Sequence, residues 1–397
     1  MPTLAVPPAL QTAPAVMDIG LILLLAVLAG WIARRIGLPA VLGYLAVGFV
    51  VSPFTPGYVA ERHQLELLAD VGVVLLLFEV GIEIDPLALG AGNRRILWAA
   101  PAQVVITALL SGAAAALLGI AVSGASLIGL AIAMSSSVVV VSITRSRRAT
   151  ADAPTREALL SWSELQDMSG VLISLLLLAV FGLASRPAGE AAVAILVYLV
   201  LCLAAAWILP RALARLHSEH DLFLVLSVGS GLAIAGVGAS FFGVPLALAA
   251  FIAGLTIGES PVASEARRRI VPFRDLFAVL FFVSLGTLLD PKAVPGALPW
   301  VGFVLIAVVA AKQLPVFLLS WAARLRDVNR LQLTIGLGQV GEFSFVLAAI
   351  VLARDLIPNE LFTAIIVSVV LTIAVSTVAV RLVGAPARLR NRPSVDR

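Results

Sequence analysis

The chain has 397 residues, of which 61% are hydrophobic and 13% charged, whereas an ordinary soluble domain is about 45 to 50% apolar and about 25% charged. That composition excludes a soluble globular protein. Its 27 Lys and Arg outnumber its 23 Asp and Glu by a formal +4, but the basic residues sit between apolar stretches, where they set membrane topology and give no reason to expect nucleic acid as a partner.

Apolar stretches long enough to cross a hydrocarbon core as helix occur at 17–34, 40–57, 66–84, 96–119, 125–144, 157–184, 190–209, 221–242, 244–258, 272–289, 298–323, 331–353 and 358–383. The expected fold class is an all-α polytopic membrane protein with thirteen transmembrane helices. No basic segment precedes the first apolar run, so it reads as a retained span and not as a cleaved signal peptide, with residues 1–16 as an extracytoplasmic segment.

Gly37, Leu38 and Pro39 open the second span. The third reads VVLLLFEVGIEIDP and ends at Asp85 and Pro86. Within it, Glu79 lies about a turn from the cytoplasmic end, where a partly snorkelling structural role is expected. The fifth span holds Ser135, Ser136 and Ser137 before four valines, Val138 to Val141. Hydroxyls that bond back to the chain, followed by β-branched residues, make a helix liable to unwind there; helix packing through small residues is the alternative.

The sixth span carries Gln166 and Asp167 about ten residues from its cytoplasmic end, roughly 15 Å deep at 1.5 Å per residue. A carboxylate at that depth costs roughly 2.5 to 3.5 kcal/mol on insertion scales, which points to an ion or proton site; a permanently protonated acid in a helix contact is the structural alternative. Glu164, a turn earlier, could line an inward vestibule. Cys202, the one cysteine, lies in the seventh span and excludes an internal disulfide or a cysteine-based metal site.

Gly243, Val244 and Pro245 open the ninth span, and the tenth reads AVLFFVSLGTLLDP to Asp290 and Pro291. These echo the second and third spans. Because the ninth span comes seven after the second, an odd shift, the two halves enter the membrane in opposite directions, as inverted repeats of secondary transporters do. The repeat pairs the fifth span with the twelfth, where Gly336, Gly338, Gly341 and Glu342 make another interruption. Two broken helices are therefore expected at mid-membrane, with Ser135, Gly338 and Gly341 as backbone positions of the breaks.

Lys312, in the eleventh span, reaches nearly the level of Asp167, so pairing or a structural bridge between helices is open to it. Glu342 either caps the broken twelfth helix or takes part in charge balance. Gly336-x-Gly338-x-x-Gly341 matches the dinucleotide fingerprint in letters, but it lies in a membrane span with no preceding strand, so nucleotide binding is not expected.

Arginine distribution tests the topology. Of the 27 Lys and Arg, 22 fall on one side of the thirteen spans, four (Arg62, Arg186, Lys292, Arg354) on the other, and Lys312 within a span. Cytoplasmic loops hold the excess. The expected orientation is N-terminus outside and C-terminus, with a tail from 385 to 397, in the cytoplasm.

Phe78-Glu79-Val80-Gly81-Ile82-Glu83-Ile84-Asp85, the run Ser135 to Ser137, Gln166-Asp167, Lys312 and Gly338-Gln339-Val340-Gly341-Glu342-Phe343 together resemble the monovalent cation:proton antiporter-2 family, in particular the membrane part of potassium-efflux antiporters. The resemblance implies a homodimer in a lipid bilayer. It further implies a mobile core (96–184 and 298–383), dimerisation helices (17–84 and 221–289) and a linker helix (190–209). It makes Asp167 the carboxylate that holds either a proton or an alkali cation, K+ or Na+, with Gln166, Ser136 and Ser137 nearby, one proton per cation and no cofactor. The nucleotide-binding regulatory domain of the efflux systems is not expected in this chain, since few residues follow Gly384. The expected function is electroneutral cation/proton exchange at the cell membrane by alternating access, with no enzymatic activity. A gated monovalent cation channel and a sodium-coupled symporter of an organic solute are the rivals.

Overall fold

In the computed structural model, residues 8–54, 62–83, 94–145, 150–181, 188–258, 260–325, 327–341 and 343–390 are described. Among them there is no strand. The helices are α1 (Pro8–Ile36), α2 (Ala40–Val50), α3 (Arg62–Glu83), α4 (Ile96–Leu117), α5 (Val122–Ala133), α6 (Ser137–Arg145), α7 (Ala153–Val180) and α8 (Ala188–Arg215). They continue with α9 (His220–Phe242), α10 (Leu246–Gly258), α11 (Ala263–Thr287) and α12 (Val294–Ala307), then a π-helical segment (Val308–Gln313) running into α13 (Leu314–Ala322). The last three are α14 (Arg330–Gly336), α15 (Phe343–Leu352) and α16 (Asn359–Arg390).

Among the described residues, eight helices are long and apolar enough to cross a membrane. The other predicted spans are shorter or interrupted: α2 and α10 are short apolar helices, α5 with α6 and α14 with α15 are broken pairs, and α3 carries several charges.

Two compact units form, Met1–Ile84 with Ala194–Pro291 and Asp85–Val193 with Lys292–Arg397. In the first unit α3 packs along α11 and α10, α2 along α11 and α1, and α9 along α10. Glycine makes the closest approaches. A Cβ on Gly48 of α2 would stand 2.8 Å from the Cα of Gly286 on α11, and one on Gly254 of α10 would stand 2.8 Å from the Cα of Gly81 on α3. Only helices lacking side chains at the crossing point come so near. Gly37 and Gly243 also match, with φ of 90° and 67°. Each closes a helix in the left-handed conformation, so that a proline can start the next.

Glu79 departs from the snorkelling expected of it. It is 1% exposed, with Arg267 Nε at 2.5 Å from one carboxylate oxygen and Arg274 Nη1 at 2.9 Å from the other. Arg267 also reaches Glu83 at 2.7 Å. The reason is that α11 begins at Ala263, a little over two turns before the predicted span, so its arginines are helical and lie along α3.

In the second unit α4 packs against α5 and α7, α5 against α15, and α16 against α12 and α14. Asp152 caps α7 by accepting from the Thr155 amide at 2.9 Å, and Asn329 caps α14 by accepting from the Gln332 amide at 3.1 Å. Pro315, just inside α13, has no N–H to give Ala311, and the wide turn preceding it accommodates that loss.

Candidate functional site

The helical path of the fifth predicted span stops at Ala133, because Met134 is extended (φ −86°, ψ 139°). It restarts at Ser137, with the Ser136 hydroxyl accepting from the Val139 amide at 3.3 Å. The interruption is thus residues 134–136, and Val138 to Val141 are helical. The twelfth predicted span stops after Gly336 and restarts at Phe343. Glu342 lies outside the described residues.

The two interruptions cross in contact. The Gly341 amide donates to Met134 O at 3.0 Å, the Ser135 hydroxyl to Leu337 O at 2.8 Å, and the Gln339 side-chain amide to Ser136 O at 3.2 Å. A Cβ on Gly341 would lie 2.5 Å from the Ser135 carbonyl carbon, which is why this position is glycine. Beside it, the Val340 amide donates to Thr372 Oγ1 of α16 at 3.1 Å, and Gln313 Nε2 stands 3.5 Å from Gly338 O.

Helix C-terminal ends carry partial negative charge, and α5 and α14 both end at this crossing. Lys312, in the π segment and completely buried, meets them. Its ammonium donates to Met134 O at 2.9 Å and to Gln339 O at 2.5 Å. The structure therefore gives Lys312 two backbone partners that the sequence did not indicate. It also lies within the electrostatic reach of Asp167.

Asp167 and Gln166 lie on α7, 3% and 0% exposed. Gly170, a turn further, faces the α5 break, since a Cβ there would meet the Met134 side chain at 2.5 Å. Gln166 donates to Gln103 Oε1 of α4. Ser135 and Ser136 are buried at the crossing, while Ser137 is half-buried at the start of α6 and Glu164 half-buried on α7.

The structure thus gathers Ser135, Ser136, Gly338, Gly341 and Lys312 at one crossing, with Asp167 and Gln166 on the neighbouring helix. Gln103, Gln313 and Thr372 join them without having been singled out, and Gln339, named above only within a motif, joins them as well. The sequence signal for these was a neutral amide or hydroxyl inside an apolar run, a weak one because such groups also serve ordinary helix packing. Among the described residues, no group of three or more His, Cys, Asp or Glu is gathered. Among the described residues the crossing offers backbone carbonyls and the hydroxyls of Ser135 and Ser136, with the Asp167 carboxylate on the neighbouring helix.

Comparison with known proteins bears on the whole arrangement. The chain is similar to a protein of Escherichia coli (strain K12) assigned as the cation/proton antiporter YbaL, with 31% identity over 371 residues. That alignment takes in 90% of this chain, which spans 66% of the relative's length. In fold it is similar to the sodium proton antiporter MjNhaP1 from Methanocaldococcus jannaschii, with a TM-score of 0.72 at 20% identity, covering 94% of this chain and 98% of that one. The profile of the family described as "Sodium/hydrogen exchanger, transmembrane" matches residues 23–384, a stretch containing both broken helices, Asp167 and Lys312, and by that match the chain belongs to the sodium/hydrogen exchanger transmembrane family.

Proposed function

We propose that this chain is a secondary active transporter that exchanges K+ or Na+ for protons through one site at Asp167. The observation that carries the reading is a buried carboxylate beside two crossed helix breaks whose negative ends are already occupied by Lys312. Carbonyls and hydroxyls freed by the breaks can replace a cation's water, and Asp167 supplies the charge. Ionised, Asp167 binds the cation with Ser136, Ser137 or backbone oxygens; protonated, it releases it.

Charge accounting supports one proton per cation. Lys312 is held by the same two carbonyls in either case, so the core carries the same net charge whether Asp167 holds H+ or an alkali ion. Alternating access then moves the second unit, while the first remains as scaffold and forms the contact with a second copy. The membrane orientation, N-terminus outside, is supported by which residues meet. The Glu79 pairs bring Arg267 and Arg274 to the end of α3, and Arg95 donates to Arg324 O at 3.0 Å. All of these belong to the arginine-rich side. On the same side Arg35 stacks over Trp31 and Arg211 over Trp207, at 4.8 and 4.3 Å from the ring centres, as interfacial anchors do.

Proteoliposomes loaded in turn with Na+, K+ and Li+ test the reading. Cation-dependent dissipation of a pH gradient is expected from the wild type, unaffected by clamping the voltage with potassium and valinomycin. Asp167→Asn is expected to abolish it. Retained exchange in that variant would overturn the assignment of Asp167, and currents reversing with the cation gradient alone would indicate a channel.

A further inference from the structure

Gln103, in the middle of α4, is completely buried and hydrogen-bonded at both ends of its amide. Its nitrogen donates to Thr107 Oγ1 at 2.9 Å and to Ala133 O at 3.4 Å. Its oxygen accepts from Trp162 Nε1 at 3.4 Å and from Gln166 Nε2. An indole N–H can only donate and a backbone carbonyl can only accept. These two partners fix which end of the Gln103 amide points which way. Gln166 must then turn its NH2 group toward Gln103, and its own oxygen is left over. That oxygen is buried and has no hydrogen-bond partner in the protein.

A buried acceptor without a donor is costly, and native structures seldom keep one without a use. This one belongs to the residue next to Asp167, on the face of α7 that packs on the α5 break. We propose that Gln103 is a positioning residue: held by Trp162 and Ala133, it fixes the Gln166 amide so that the alkali cation bound at Asp167 is offered a carbonyl oxygen and not an NH2 group. Turned over, the amide would direct N–H dipoles at the cation and hydrogen-bond the carboxylate in its place. The selectivity of the site for a dehydrated cation over a proton thus depends on an orientation set a helix away. This inference rests on the exchange reading given above.

The test is a double-mutant cycle on cation affinity. Gln103→Leu, Gln166→Leu and the double variant are reconstituted, and the half-saturating Na+ or K+ concentration is separated from the maximal exchange rate. Gln103→Leu is expected to raise half-saturation about tenfold, with the maximal rate changed by less than about twofold. The double variant is expected to be no worse than Gln166→Leu, because Gln103 acts only through Gln166. Gln103→Glu keeps an acceptor for Trp162 and Gln166 but loses the donor to Ala133 O, so it should restore part of the lost affinity, and more of it at acidic pH, where the protonated carboxyl can donate. Cation-dependent rises in melting temperature of the detergent-purified proteins give the same affinities without transport, so poor folding of one variant does not decide the outcome. A lowered maximal rate with unchanged half-saturation, or additive effects in the cycle, would overturn the role of Gln103 while exchange itself stands. A wild type lacking any cation dependence would instead remove the exchange reading, and this inference with it.

Discussion

Lys312 has no exposure to water, and two carbonyl oxygens at 2.9 and 2.5 Å hold its ammonium. Replacing it by Met keeps the volume but takes the ammonium from Gln339 O and from Met134 O, which retains only the Gly341 amide. Loss of one partner from a buried charge set costs about 3 to 5 kcal/mol. Lys312→Met is therefore expected to lower the melting temperature measurably and to stop exchange; an unchanged melting curve in detergent would contradict this account of the crossing. A neutral change gives a graded comparison. Ser135→Ala removes one hydrogen bond, to Leu337 O, and should cost about 1 kcal/mol. Gly341→Ala places a methyl group 2.5 Å from the Ser135 backbone, which overpacks the crossing and should cost about 1 to 3 kcal/mol. The order expected in thermal unfolding is Ser135→Ala mildest, then Gly341→Ala, then Lys312→Met. The charged members of this group were legible in the sequence because a charge at membrane depth is expensive and so stands out. Gln103 was not, because a neutral amide in an apolar helix has meaning only once its partners on α5 and α7 are known.

The apolar helices were legible from hydropathy, and both interruptions from serine and glycine, but the cause assigned to the first was incomplete. Val138 to Val141 are helical, since β-branching lowers helix propensity only slightly. The break is held by a partner far along the chain: Gly341 donates to Met134 O, and Ser135 gives its hydroxyl to Leu337 O and not to its own helix. The π segment left no mark in hydropathy and is traceable only to Pro315. Helix ends were also misjudged where the helix outruns its apolar stretch, as at Ala263 in α11, and that hid the Glu79 ion pairs. The repeat read from Gly37-Leu38-Pro39 and Gly243-Val244-Pro245 makes a quantitative statement about packing. Gly48 and Gly254 hold equivalent positions in it, and so do Gly286 and Gly81. Alanine at Gly48 would collide with the backbone of α11, and alanine at Gly254 with that of α3, at nearly the same distances. The two substitutions should therefore depress the melting temperature by similar amounts. Gly236→Ala, in α9, meets nothing within 4 Å and should be neutral or slightly stabilising through helix propensity. Effects at Gly48 and Gly254 that differ severalfold would show that the two contacts are not equivalent.

At the scale of the whole chain, topology and chemistry are joined by the same arithmetic. A shift of seven spans between the repeated motifs, an odd number, would reverse the second half, and in the structure the C-terminal ends of both broken helices meet at Lys312. A chain with one span more or fewer in its middle would carry its later arginines to the other face, and the partition of 22 basic residues against four would vanish. The orientation inferred from that partition is open to direct measurement, because Cys202 is buried and gives little background to thiol labelling. Arg268, whose side chain is 77% exposed, belongs to the basic side, and exposed Arg354 to the opposite one. Arg268→Cys should react with a membrane-impermeant maleimide only after the cells are opened, and Arg354→Cys should react in intact cells. Neither substitution touches the crossing, so exchange can be verified in the same preparations. Labelling in the reverse pattern would invert the orientation, while labelling of both from one side would refute the odd number of spans separating them, and with it the opposed halves on which the crossed-helix site depends.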